Sequence, residues 1–107
     1  MKKSKQEIEN EIANLPNSYI DCLAPIISRY RQMHQGDGNV VKFFVQRVEE
    51  ERQRYARKFA AMKANSDYRG FESQIEAAEK AVNTAAAVEV ARAYSDGKVD
   101  VRRASNV

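Results

Sequence analysis

The sequence predicts an all-α fold: a long antiparallel helical hairpin, coiled-coil-like, with a short two-helix N-terminal subdomain. Breakers are scarce, since the 107 residues include only two prolines and four glycines. Alanine, glutamate, lysine and arginine abound, and these residues favour helices. Apolar residues also recur at spacings of three and four. With 43% hydrophobic residues the chain is not disordered by composition, and its length suits one helical domain over 1–107.

The N-terminal helices are predicted over residues 4–34, and the first of them spans 4–15. Ser4 and Glu7 have the spacing of a capping box, in which each residue satisfies a backbone N–H of the other. Pro16 is expected to end this helix, because the residue before a proline avoids the helical region.

The second N-terminal helix is predicted over 18–34. It carries Pro25, which removes a backbone donor and should produce a kink. A glycine-containing loop over 35–39 follows, and Asn39 at its end is placed to cap the next helix.

The hairpin is predicted over 39–95, and its first helix, 40–64, has the clearest pattern in the chain. One stripe alternates spacings of four and three over about three heptads, which indicates a seam against a partner helix. The stripe contains Val41, Val45, Val48, Arg52, Tyr55, Phe59 and Met62. Arg52 either pairs with an acid across the hairpin, with Glu79 as candidate, or marks the register.

A turn at 65–70 leads into the second hairpin helix, 71–95. Its expected seam consists of Phe71, Ile75, Ala78, Val82, Ala85 and Val88. Asp96 and Gly97 should end this helix and leave 96–107 as a flexible tail.

The alanine-rich surface of the second hairpin helix is wider than one partner helix covers. Small residues let helices approach closely, and self-association is the common way to cover such a surface. Ala77, Ala81 and Val88 are therefore the candidate helix–helix interface, and a homo-oligomer is expected.

Cations cluster along the first hairpin helix and are the candidate contacts to a protein partner or a phosphate backbone. They are Arg47, Arg54, Arg57, Lys58 and Lys63. The net charge is only +3, which is weak support for nucleic acid. Glu49, Glu50 and Glu51 lie one turn away and would repel phosphates, although Glu50 could instead pair with Arg54. We therefore expect a solvated face, with Tyr55 and Phe59 in the core rather than stacked on bases.

Catalytic chemistry finds little support in the sequence. His34 is the only histidine, and no pattern nominates a second group beside it. Cys22 is the only cysteine and is expected to be a buried, inert thiol. We expect no catalytic residue, no cofactor and no metal site, because none of the usual motifs is present. No signal peptide or membrane span is recognisable, and a cytoplasmic protein is the default expectation.

Two features of the chain resemble known classes of helical protein. Tyr68-Arg69-Gly70 resembles the W-x-G turn of helical hairpins exported by specialised secretion systems, but the chain has no tryptophan and two further helices precede its hairpin. Size and charge are similar to those of helical proteins from phages and mobile elements that bind and inhibit host machines, an association without a motif. The leading hypothesis is a non-enzymatic protein-binding module, an adaptor or inhibitor that self-associates. The alternative is a nucleic-acid-binding accessory protein using residues 52–63.

Overall fold

The structure is a computed structural model that describes residues 3–33 and 37–105, with side chains up to residue 95. It contains α1 (Lys5–Gln32), α2 (Gly38–Ala64) and α3 (Glu72–Ser105), with a 3₁₀ turn (Ser66–Tyr68) between α2 and α3. The all-α prediction is confirmed for this part of the chain, in which every regular element is helical. His34 lies outside the described residues.

The N-terminal segment is one helix, so the predicted division into two helices is wrong. Ser4 caps it as expected, with its Oγ accepting from the backbone N–H of Glu7 at 3.2 Å. The helix then runs through both Pro16 and Pro25. A proline inside a helix costs about 3 kcal/mol. The cost is tolerated because buried apolar residues occur on both sides of Pro16 and fix the whole length of α1 against its neighbours: Ile8, Ile12, Tyr19, Leu23 and Tyr30.

Helix α2 begins one residue before the predicted cap. Asp37, not Asn39, is the N-cap, and its Oδ1 accepts from the backbone N–H of Asn39 at 2.8 Å. Both residues are good caps, but Asp37 is the one in extended conformation, with the helix starting at Gly38. The predicted helix over 40–64 is otherwise confirmed, since α2 ends at Ala64.

Helix α1 runs antiparallel along α2 rather than forming a subdomain at the open end of the hairpin. Near its start, Glu11 accepts from the Tyr68 hydroxyl at 2.7 Å, beyond the C-terminal end of α2. Near its end, the rings of Tyr30 and Phe44 lie 4.3 Å apart, in the second turn of α2. The spread of the buried stripe over the full length of α1 explains this placement.

Helix α3 runs antiparallel to α2 in turn. Lys63 pairs with Glu79 at 2.9 Å, and Arg52 donates to Asn83 at 3.3 Å further along. Gly70 makes the reversal possible, since its φ of 91° lies in the left-handed region that side chains disfavour. The three helices therefore form a bundle in which α1 and α3 run in the same direction.

Two expectations about α3 are wrong. The helix continues to Ser105, so Asp96 and Gly97 do not end it. Residues 106 and 107 lie outside the described part. Val88 is exposed, because the buried stripe advances by four residues from Val82 to Ala86. A straight helix has 3.6 residues per turn, and the alternating pattern of four and three drifts away from its buried face.

The core of the bundle contains the expected aromatic residues. Tyr55 and Phe59 are buried, as the seam of α2 predicts. They pack with Tyr19 of α1 and with Ile75 and Val82 of α3 in one hydrophobic cluster. Their burial removes both rings from any stacking role at the surface.

Candidate functional site

A groove opens on the surface between the C-terminal half of α1 and the N-terminal half of α2, with a volume of about 440 Å³. We call it the α1–α2 groove. Its apolar part comprises Pro25, Ile26, Tyr30, Met33, Val40, Phe43 and Phe44. Its charged part comprises Arg29, Arg47, Glu51 and Arg54, and Cys22 completes the lining. Two of the cations singled out in the sequence, Arg47 and Arg54, thus lie beside an apolar surface.

Helical periodicity builds this groove. Phe43, Arg47 and Arg54 follow one another at spacings of four and seven, so they lie on one side of α2. Arg29 follows Pro25 by four residues on the facing side of α1. Helices α1 and α2 pack side by side, and these two stripes form the walls of one cleft.

Ion pairs organise the α2 wall. Glu51 is half-buried, and its carboxylate lies 2.8 Å from Arg54 and 3.9 Å from Arg47. Arg47 also binds Glu50 at 2.7 Å. Glu50 and Arg54 therefore do not pair with each other as expected. Glu50 pairs with Arg47 and Arg54 pairs with Glu51, each over three residues. Three arginines and one glutamate line the groove, which leaves it with an excess of positive charge.

Cys22 is half-buried rather than buried, at the edge of the groove. Its Sγ lies 3.4 Å from the Tyr55 hydroxyl and 3.4 Å from Nη2 of Arg54. Burial, together with the contact to Cys22, raises the pKa of Tyr55 above its usual value. Cys22 is the only cysteine in the chain, so a thiol-specific reagent would modify the protein at this site alone.

The other candidate cations lie away from the groove. Arg57 and Lys58 are exposed, and neither has a carboxylate partner among the described residues. The Nζ of Lys58 lies 4.6 Å from the ring centroid of Tyr55. Lys63 is paired with Glu79 across the bundle. The five cations therefore do not form one continuous free ridge.

Arg52 does not bind Glu79, which was the candidate partner. It pairs with Glu49 within α2 and reaches Asn83 on α3. The pKa of the Glu49 carboxyl is lower than usual, mainly because Arg52 donates hydrogen bonds to it. Glu79 is one turn closer to the α2–α3 reversal, where Lys63 is its neighbour.

The candidate interface residues Ala77, Ala81 and Val88 are all exposed on α3. Val88 precedes Arg92 by four residues, and Arg92 shares a small depression with Ile27 and Arg31 of α1. The three candidate residues therefore lie on the side of α3 that borders α1, since helix positions four apart share a face.

Helix α1 contributes exposed apolar residues to the same side. Ile27 and Arg31, which adjoin α3, share a shallow depression with Ala24. Ala13, Ile20 and Ala24 fall on this side of α1 at spacings of seven and four, and all three are exposed. We define the α1–α3 flank as these six exposed residues: Ala13, Ile20, Ala24, Ala77, Ala81 and Val88.

Comparison with known protein families, with curated proteins and with solved structures gave no match. Over the described residues, no group of three or more histidine, cysteine or acidic side chains is arranged to hold a metal ion. Over the same part of the chain, no helix is long and apolar enough to cross a membrane.

Proposed function

We propose that the chain is a non-enzymatic protein-binding module that self-associates through the α1–α3 flank and acts as an adaptor or inhibitor of a larger partner. In this proposal α2 and α3 form the coiled-coil-like hairpin that gives the module its length. The homo-oligomer interface includes Ala77, Ala81 and Val88, and no catalytic step is involved.

The observation that carries the proposal is the exposure of apolar side chains on the α1–α3 flank. Its six residues are all apolar, while Arg31 and Arg92 border them. Ile20 is 52% exposed and Val88 is 45% exposed, although both are large hydrophobic side chains. Asn17 and Thr84, which lie between them along the two helices, are also uncharged. Exposed apolar side chains grouped on one side of a bundle favour an interaction surface.

A second copy of the chain is the partner that suits this flank. In a twofold-symmetric dimer the same patch meets itself, so each residue of the patch packs against another part of the same patch. The exposed apolar side chains of the flank would bury one another in such a contact. Its alanines also allow two helices to approach to about 8 Å, the short end of the usual range.

A matched pair of alanine substitutions tests the proposal. Ala81→Glu places a carboxylate in the flank, where dimer formation would bury it among apolar side chains. Ala87→Glu is the control, because Ala87 is also exposed on α3 but lies outside the flank. Light scattering should give a monomer mass for Ala81→Glu and an oligomer mass for Ala87→Glu. Equal masses for the two variants would contradict the proposed interface.

The second candidate function is nucleic-acid binding by residues 52–63. Arg57 and Lys58 favour it, since both are exposed and have no carboxylate partner among the described residues. Against it, Arg54 and Lys63 are ion-paired with Glu51 and Glu79, which reduces the charge available to a phosphate backbone. It therefore remains the second choice.

A further inference from the structure

We propose that the α1–α2 groove binds an amphipathic, acidic helical segment of a protein partner. Apolar side chains of the segment would fill the groove, and its carboxylates would meet Arg29, Arg47 and Arg54. This inference rests on the proposed protein-binding function but concerns a different surface from the α1–α3 flank. It names the chemistry of the larger partner, whereas the flank is proposed to meet a second copy of the chain.

Phe43 is the most exposed aromatic side chain of the groove. This side chain is 50% exposed, although it lies in a concave surface beside the buried ring of Phe44. Ile26 and Val40 line the same groove and are only partly buried. Each of these side chains has apolar area left to bury, and partly exposed aromatic rings in a groove are typical anchors of protein interfaces. A ligand must therefore supply apolar groups.

Arginines outnumber acidic residues in the lining of the groove. Arg29 is exposed and has no carboxylate partner among the described residues. Glu51 is the single acid in the lining and is shared by Arg47 and Arg54, while Arg47 also binds Glu50 outside the lining, so Arg29 carries the unpaired charge of the groove. A partner with carboxylates along its edge would complement this charge, whereas a basic partner would be repelled. Arginine also binds carboxylates in a two-pronged geometry that adds directional preference.

The spacing of the arginines favours a helix over a small amphiphile. Arg47 and Arg54 are seven residues apart, which is about 10.5 Å along α2. Carboxylates seven residues apart on a second helix would match that distance, with apolar anchors between them at the usual helix-in-groove spacings. A fatty acid has a single carboxylate and could satisfy only one of these positions. The groove is also open to solvent along one side, and a helix would bring its own cover.

The test uses a fluorescein-labelled helical peptide with leucines on one face and glutamates seven residues apart along its edge. Two control peptides have the same leucines with lysine for glutamate, or the same composition in scrambled order. At about 150 mM ionic strength, where surface charges more than ~8 Å apart are largely screened, the acidic peptide should still bind. The two control peptides should bind at least about tenfold more weakly, a difference of roughly 1.4 kcal/mol.

Matched variants place the binding in the groove. Phe43→Ser and Arg29→Glu should each weaken the acidic peptide at least about tenfold, as loss of an anchor does. Arg57→Glu makes the same charge change outside the groove and should stay within about twofold. Helicity measured by circular dichroism should remain that of the wild type for all three, since these side chains are exposed.

Cys22 reports occupancy directly, because it lines the groove and is the only cysteine. The acidic peptide should slow alkylation of Cys22 by iodoacetamide, and the lysine peptide should not. Peptide binding without protection of Cys22 would overturn the proposal, as would equal binding of all three peptides.

Two further results would also overturn it. Protection by dodecanoate but not by the acidic peptide would make the groove a site for small amphiphiles. Protection that appears with rising protein concentration alone would make a second copy the occupant. Failure of the peptide would leave self-association standing, since Ala81→Glu tests the flank alone.

Discussion

The Tyr55 hydroxyl lies 2.6 Å from Oγ of Ser18, although the two residues are 37 positions apart in the chain. Tyr55 is otherwise enclosed in the core, with its ring packed edge-on against Tyr19 at 5.3 Å between centroids. The hydroxyl also contacts Cys22 at 3.4 Å. This polar link fixes α1 along the middle of α2 and so positions one wall of the α1–α2 groove.

Removing the Tyr55–Ser18 hydrogen bond should destabilise the bundle without creating a cavity in the core. Tyr55→Phe keeps the ring and deletes the hydroxyl, so we expect a loss of about 1 kcal/mol in the free energy of unfolding. Tyr94→Phe makes the same change on a side chain that is 51% exposed, and should stay within about 0.5 kcal/mol. Urea denaturation of both variants measures the difference. Equal losses would show that the Ser18 contact contributes nothing to stability.

Substitutions at a buried and at an exposed position of α2 should differ more strongly in their effect on the free energy of unfolding. Phe59→Ala removes a fully buried ring and should cost about 3 kcal/mol or more. Arg57→Ala changes an exposed residue of the same helix and should cost no more than about 0.5 kcal/mol. If urea melts gave the two variants the same stability, the assignment of the buried face would be wrong.

Stability should fall at alkaline pH because of Tyr19. Burial of this side chain raises its pKa from 10.0 to about 12. The unfolded chain therefore loses this proton first, and the stabilisation, complete below about pH 10, is lost as the pH rises towards 12. The slope from one such group is at most about 1.4 kcal/mol per pH unit.

The variant Tyr19→Phe should lose less stability than the wild type between about pH 10 and 12, the interval between the pKa of Tyr19 in the unfolded and in the folded chain. The slope should not vanish, since burial also raises the pKa values of Tyr55 and Tyr68. Urea midpoints at several pH values measure it. An unchanged slope in the variant would mean that Tyr19 does not titrate differently in the folded state.

The sequence predicts α2 well and α1 poorly, for one physical reason. In α2 the apolar period and the breakers agree and only the cap differs, Asp37 in place of Asn39, so local pattern and tertiary packing favour the same helix. In α1 they disagree at Pro16, where the local preference for a break is weaker than the packing of Ile12 and Tyr19 on either side. Only the neighbours of a helix decide such a conflict, and a single sequence does not contain them.

The candidate site, like the fold, is only partly predictable from the sequence. Arg47 and Arg54 are recognisable as candidates from their spacing, but Arg29 and Phe43 are not, because their importance depends on α1 lying beside α2. Phe43 is a large hydrophobic residue that lies outside the predicted seam of α2. That position alone could have indicated a second apolar surface on this helix. The pairing of Lys63 with Glu79 likewise depends on the register between α2 and α3.

The basic segment 52–63 should bind nucleic acid no better than non-specifically. If Arg54, Arg57 and Lys58 each contacted a phosphate, changing all three to glutamine would flatten the dependence of log affinity on log salt by about 2 to 3. We expect instead a dissociation constant of about 10⁻⁴ to 10⁻⁶ M for the wild type, the range of non-specific contact. Fluorescence anisotropy with a DNA and an RNA oligomer tests this. Tight binding at ~150 mM salt that is lost in the triple variant would reverse the ranking of the two functions.

Light scattering of the wild-type chain, with and without a nucleic-acid oligomer at two salt concentrations, tests self-association most directly. At about 100 μM protein, where a complex with a dissociation constant near 1 μM would be mostly formed, we expect at least twice the 12.2 kDa mass of one chain. The mass should not depend on the oligomer at either salt concentration. A mass of 12.2 kDa under these conditions, or an increase that needs the oligomer and disappears at high salt, would contradict self-association through the α1–α3 flank.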